Sequence, residues 1–271
     1  ISILNGIFLS ETDGGHDAAE KYMLSGATGF QSSMVLNFAD AIGDQVGLGV
    51  LTNSNLVRAN AKSSSSTITG VRSAYASKLT GENFEFFSKN QGHASALTKA
   101  LRQMVGNAPN MKDLFQILSD NNYDSGYEGL SEALVVASAF KSHSSQFAEL
   151  RLRPEGQGFD THSNHEKVHL NAQSKSFEMV KDILDLFKKI SYGDNGESLF
   201  DRTTFMITSE FSRTAALNNA KGKDHNPMTN SALFIGNGIK GNQVIGASRL
   251  VTRAKSRMGQ SYQIGMPYDY S

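Results

Sequence analysis

The chain has 271 residues, 39% of them hydrophobic and 19% charged, with 26 basic residues balanced by 26 acidic ones. That is enough apolar mass for a full core, no run is long and apolar enough for a membrane-spanning helix, and a balanced charge gives no overall electrostatic attraction to nucleic acid. With no cysteine, disulfides, zinc–thiolate sites, iron–sulfur clusters and cysteine nucleophiles are excluded, so a metal has to be held by carboxylates and the seven histidines.

The chain opens with ISILNGIFLS, which reads as a buried strand. After the turn cluster ETDGG, the segment HDAAEKYMLSG reads as a helix stopped by Gly26. Residues 46–53 predict a second short strand, and the Ser-rich stretch 59–70 predicts a mobile surface loop. Residues 93–143 are helical in pattern, broken into short pieces by Gly and Asn clusters at 106–110 and 120–126.

A brief strand at 148–152 leads into the Gly-rich turn EGQGFDTHSN. The strongest helix signal follows at about 166–190, with Phe177, Val180, Ile183, Leu184, Phe187 and Ile190 on one face. Then come the turn SYGDNGES, a buried strand at 203–209, the loop SEFSRT, the polar loop NAKGKDHNP and a strand at 231–238. This order predicts an α/β protein with a largely parallel sheet, in which chemistry gathers in loops beyond the carboxyl ends of strands.

Four loops carry the polar residues of interest. Asp160, His162, His165, Glu166 and His169 lie in GFDTHSNHEKVH, where an Asp-x-His pair in a turn can place both side chains on one divalent ion. A plainer reading of the same segment has Asp160, Thr161 or Ser163 capping the helix start and the histidines solvated, and His165 and His169, four apart, share one helix face. Glu210 directly follows an apolar strand, with Arg213 three residues later; a lone carboxylate there is commonly just solvated. Asp224 and His225 are adjacent in a Gly/Asn/Pro-rich loop, which suits either ligation or a self-stabilising turn.

His16 and Asp17 start the first helix, where amides attract an anion or the acid simply complements the helix dipole. Taken together, four loops offering Asp, His and Glu at one sheet edge fit a two-metal hydrolytic site. The remaining histidines, His93 and His143, sit in ordinary helical segments. Near the end, Lys240, Arg249, Arg253, Lys255 and Arg257 form a basic run without an acid, readable as an anionic-polymer surface or as a solvated strand.

The series GFDTHSN, TSEFSRT and GKDHNPMTNSALFIGNGIKG, with HDAAEKYMLSG upstream, resembles the bacterial DUF1501 proteins, a branch of the alkaline phosphatase and sulfatase superfamily. The resemblance covers roughly residues 1–250. It implies a three-layer α/β/α sandwich forming a single domain over 1–271, with a metal centre in its carboxyl-end loops.

It also implies that Asp160, His162, Glu210, Asp224 and His225 hold one or two divalent ions. Zinc suits the mixed His and Asp donors best; calcium or magnesium suits a site richer in carboxylates. Two departures from the family pattern shape the expectation. The metal-binding carboxylate of an early G-G-x-D type motif is not matched within residues 1–15, so the chain is expected to lack the amino-terminal part of its domain.

Where active relatives have a nucleophile at the helix start, this chain has His16, which can form a phosphohistidine, ligate a metal or mark lost activity. The expected function is therefore a metal-dependent hydrolase-like protein acting on a phosphate or sulfate ester. His16 would face the substrate anion and Arg213 would pair with it. The alternative is a non-catalytic binding protein that keeps the fold. Kinship also implies export, to the periplasm or outside the cell, behind a twin-arginine signal, and no role for nucleic acid.

Overall fold

The computed structural model describes residues 1–8, 15–26, 31–42, 48–54, 61–63, 65–76, 108–121, 128–154, 158–253 and 262–267. The predicted helix over 93–106, most of the turn cluster before His16, the turn residues 155–157, and Lys255 and Arg257 of the basic run lie outside them.

In chain order the elements are β1 (Ser2–Ile7), α1 (His16–Ser25), α2 (Met34–Ile42), β2 (Val50–Thr52), β3 (Ser65–Thr67), α3 (Ile68–Ala76), α4 (Ala108–Asp120), α5 (Glu128–Lys141), β4 (Phe147–Glu149) and α6 (His165–Lys189). They continue with β5 (Ser191–Tyr192), β6 (Glu197–Ser198), a 3₁₀ turn at Leu199–Arg202, β7 (Thr204–Thr208), β8 (Ser212–Arg213), β9 (His225–Asn226), β10 (Asn230–Gly236), β11 (Gln243–Ile245), β12 (Ser248–Arg253) and β13 (Tyr262–Pro267). These residues form two compact units: 1–31 with 153–181 and 200–271, and 32–152 with 182–199.

The first unit is organised by a four-stranded sheet in the order β11-β1-β10-β7. β10 runs antiparallel to both β1 and β7, with Leu233 opposite Ile3 on one side and Ile207 on the other, while β11 runs parallel to β1. The sequence expectation of one largely parallel sheet is corrected here, because the sheet is mixed. The consequence for the site is topological. β1 and β7 are parallel to each other across β10, so their carboxyl ends and the amino end of β10 share one edge.

α1 follows β1 and stops where expected, with Gly26 in the left-handed region at φ 68° and its N–H donating to the Tyr22 carbonyl. β12 and β13 pair antiparallel from Ser248↔Pro267 to Arg253↔Tyr262, which puts Arg249 and Arg253 of the basic run in a ribbon.

The second unit carries a three-stranded parallel sheet in the order β3-β2-β4. Val50, Leu51 and Thr52 of the central strand are all buried, as a strand covered on both faces requires. Leu36 and Ala39 of α2 pack with Val50 and Phe147. The Ser-rich stretch is not simply a loop: Ser65–Thr67 pairs with β2 and Ile68 begins α3, burying Ile68 and Val71.

Composition alone underrated this segment, because serine carries little strand signal of its own. Helix α2 has no counterpart in the sequence reading. α5 is buried almost all round from Ser131 to Ala139, around the apolar run ALVVA at 133–137. On α6 the predicted apolar face divides: Ile183 and Phe187 are buried but Phe177 is 49% exposed.

Candidate metal centre

The seven residues singled out by sequence for the site, His16, Asp160, His162, Glu210, Arg213, Asp224 and His225, fall in the first unit; four of them meet Asp160 Oδ1 directly, and Glu210 and Asp224 join the cluster through His16 and His162. His162 Nε2 lies 2.9 Å from it, His225 Nε2 3.1 Å, His16 Nε2 3.3 Å and Arg213 Nη2 2.8 Å. His162 Nε2 and His225 Nε2 are themselves 3.0 Å apart.

Each side chain arrives on a locally determined element. His16 is the first residue of α1. Glu210 and Arg213 follow the carboxyl end of β7. β8 and β9 form a short antiparallel ribbon in which Arg213 pairs with His225, and that pairing puts both beside Asp160. Asn230 opens β10 and ties the loop down: its side-chain amide donates to Ser209 O, while its Oδ1 accepts from Ser209 Oγ.

The loop bearing Asp160 and His162 is zipped to the loop bearing Asp224. Lys223 N donates to Thr161 O, Asn164 N to Ala220 O and His165 N to Lys221 O, at 2.9, 3.3 and 2.9 Å. Gly222 sits where the two backbones touch: a Cβ there would lie 1.8 Å from His162 O.

The outer nitrogens of two rings meet carboxylates. His16 Nδ1 is 2.9 Å from Glu210 Oε1, and His162 Nδ1 is 2.9 Å from Asp224 Oδ1. A carboxylate accepts and does not donate, so each of these Nδ1 atoms carries a proton. In the neutral rings, Nε2 of His16 and His162 then presents a lone pair toward the Asp160 oxygen. Two nitrogen lone pairs facing a carboxylate oxygen repel each other and the oxygen unless a proton or a cation lies among them.

A tetrahedral zinc with bonds of about 2.0–2.1 Å has ligand–ligand edges of about 3.3 Å. The contacts of Asp160 with the three histidines, 2.9–3.3 Å, are close to that scale. His16, Asp160 and His225 each offer a ligand atom within 4.8 Å of the other two. The donor set therefore fits a divalent ion, and its mixture of imidazole and carboxylate fits zinc better than calcium. Glu210 and Asp224, expected from sequence as ligands, stand behind the histidines in the position of orienting carboxylates.

Arg213 is expected from sequence to meet a substrate anion, but its fork is taken by the protein. Nη2 donates to Phe159 O and Asp160 Oδ1 at 2.7 and 2.8 Å and Nη1 to Lys223 O at 3.2 Å, and the side chain is only 9% exposed. Asp160 is half exposed, which leaves the centre open to solvent. Burial pushes its carboxyl upward, but hydrogen bonds from Arg213 and His225 and the charge of Arg213 outweigh this and hold it well below the usual carboxylate range.

Phe211, buried between Glu210 and Arg213 in the sequence, floors the cluster. Its ring stacks on His225 at 4.4 Å and lies 5.1 Å from His16, with the Arg213 guanidinium 5.5 Å from its centre. Its place within SEFSR made it visible in the sequence, but an aromatic beside charged residues carries no distinctive signal.

His165 and His169 take a different place. Their rings stack at 4.4 Å, His165 Nδ1 hydrogen-bonds with Thr161 Oγ1 at 2.7 Å, and His169 lies against Phe159. Burial pushes both below the ordinary histidine value. The charge of His169 adds to this for His165, and those of Arg213 and Lys223 act on both. They pack the loop from behind and make none of the hydrogen bonds around Asp160.

Residues 15–261 match the family described as "Protein of unknown function (DUF1501)". No curated protein and no solved structure matches the chain.

Proposed function

Because the chain belongs to the DUF1501 family, whose description names no activity, its function has to be argued from the site, and we propose a metal-dependent hydrolase of the alkaline phosphatase and sulfatase type. Its substrates in this reading are phosphate or sulfate esters. The proposal carries with it that superfamily's three-layer α/β/α architecture and an exported location. The observation that supports it is the convergence of three imidazole Nε2 atoms on Asp160 Oδ1, with carboxylates on the outer nitrogens of two of the rings.

In this reading His16, Asp160 and His225 hold the ion, and His162 stands beside His225 as a further donor. When bound, the ion supplies Lewis acidity, polarising an ester oxygen and making a bound water acidic enough to be a nucleophile at neutral pH. The chain's own groups supply the rest. Glu210 and Asp224 keep the protons of His16 and His162 on Nδ1 and so aim Nε2 inward. Arg213 holds Asp160 ionised and fixed in direction. Phe211 closes the floor of the site and limits rotation of the His225 ring.

Protein purified without chelator should retain a divalent ion by elemental analysis, and His225→Ala should lose it with an unchanged circular dichroism spectrum. Chromogenic phosphate and sulfate esters, assayed over a panel of zinc, calcium and magnesium, should reveal turnover that vanishes in the same variant. Metal retention with no turnover on either ester class would leave a metal-holding binding protein and remove the hydrolase.

A further inference from the structure

We propose that Asn218 is a positioning residue for this centre, setting the aim of His162 through both ends of its side-chain amide; the inference rests on the metal-centre reading above. The acceptor half builds a turn: Oδ1 accepts from Ala220 N and Gly222 N, each at 2.9 Å. The donor half reaches the site: Nδ2 donates to His162 O at 3.1 Å and to Asp224 Oδ1 at 3.2 Å. The backbone of the same turn closes on itself, with Asn218 N donating to Gly222 O and Lys221 N to Asn218 O.

The orientation of the amide follows from its neighbours. Two N–H groups face one end and two oxygens the other, so a flipped amide would set donors against donors and acceptors against acceptors. The two hydrogens on Nδ2 then bind two groups that belong to one residue's environment, the carbonyl of His162 and the carboxylate oxygen that accepts the His162 Nδ1 proton. His162 is held at its backbone and at its ring by a single amide. If Asp224 turned away, His162 Nδ1 would lose its acceptor, the other tautomer would become accessible, and Nε2 would carry a proton where a lone pair is required.

Glycine and asparagine in a polar loop read as turn formers. The donor half of Asn218 belongs to the tertiary structure, where the Asp160 and Asp224 loops lie side by side.

Asn218→Asp separates the two halves. An aspartate can still accept from Ala220 N and Gly222 N, so the turn should be retained with a modest fall in melting temperature from the two lost donor contacts. It cannot donate to His162 O, and it places a second carboxylate against Asp224. Zinc affinity, read by competition with a chromogenic chelator, should fall about tenfold to a hundredfold, the range seen when groups behind metal-binding histidines are removed.

In the metal-free protein, long-range ¹⁵N–¹H spectra should show His162 protonated at Nδ1 in the wild type and a mixture of tautomers in Asn218→Asp and Asn218→Ala. If Asn218→Asp does not fold, Asn218→Ser, which still offers one acceptor, carries the same comparison. Unchanged zinc affinity together with an unchanged His162 tautomer overturns the role of Asn218 and leaves the metal centre standing. A wild-type chain that binds no zinc, with the tautomer still shifting in the variants, overturns the metal centre and leaves the positioning role standing.

Discussion

Gly222→Ala is expected to cost about 3 kcal/mol in denaturant titrations and to open the cluster around Asp160, a larger effect than adding one methyl group on a free surface would have. The added Cβ would lie 1.8 Å from His162 O, 1.9 Å from His162 C and 2.4 Å from Ser163 N, all backbone atoms. No rotamer change can relieve a contact with backbone.

The two segments also cannot part freely, because hydrogen bonds from Lys223 to Thr161, Asn164 to Ala220 and His165 to Lys221 flank the contact. Relief requires breaking some of them, and each one broken frees the loop that carries Asp160 and His162. Metal affinity should fall together with a large loss of stability in this variant, whereas Asn218→Asp should lower affinity with only a modest loss of stability. A Gly222→Ala protein with wild-type stability would show that the two loops are not held as tightly as described.

Glu149→Gln is expected to stabilise the protein above about pH 7 and to be nearly neutral below about pH 5. Glu149 ends β4 in the second unit, and its Oε2 is buried with no hydrogen-bond partner among the described residues. Burial pushes the carboxyl from 4.5 up to about 7. The folded state therefore binds a proton that the unfolded state has already released across that interval, and stability falls as pH rises through it.

Below the interval both states are protonated and the effect vanishes. Above it both are ionised and the folded state carries the full penalty, about 3 kcal/mol, which the uncharged glutamine does not incur. Urea titrations of the two proteins at pH 5 and pH 8 measure the difference directly; equal stabilities at both values would mean that Glu149 is solvated.

Local order was legible in the sequence where short-range chemistry decides it. The helix opening at His16 and stopping at Gly26, the turn between Ile190 and Leu199, and the strand before Glu210 all follow from periodicity and turn residues. The direction of strands was not legible, because β1 and β10 are more than 200 residues apart and nothing local distinguishes antiparallel pairing from parallel. The strand Ser65–Thr67 was hidden for a different reason: its partner Val50–Thr52 is only 15 residues away, but serine-rich composition argues for a loop.

The residues that cluster at Asp160 were legible as candidates, because histidine and carboxylate in four polar loops are chemically conspicuous. Their individual places were not. Whether Glu210 meets a metal or the back of an imidazole depends on ring orientation, and whether Arg213 faces solvent or the protein depends on three acceptors, Phe159, Asp160 and Lys223, drawn from two other loops.

Metal content is the most direct test of the account. Protein purified without chelator and analysed by elemental spectrometry should carry zinc in proportion to chain, and His225→Ala, with its fold intact, should carry none. A folded wild-type chain that takes up no divalent ion, even when zinc is supplied in excess, would contradict the metal centre.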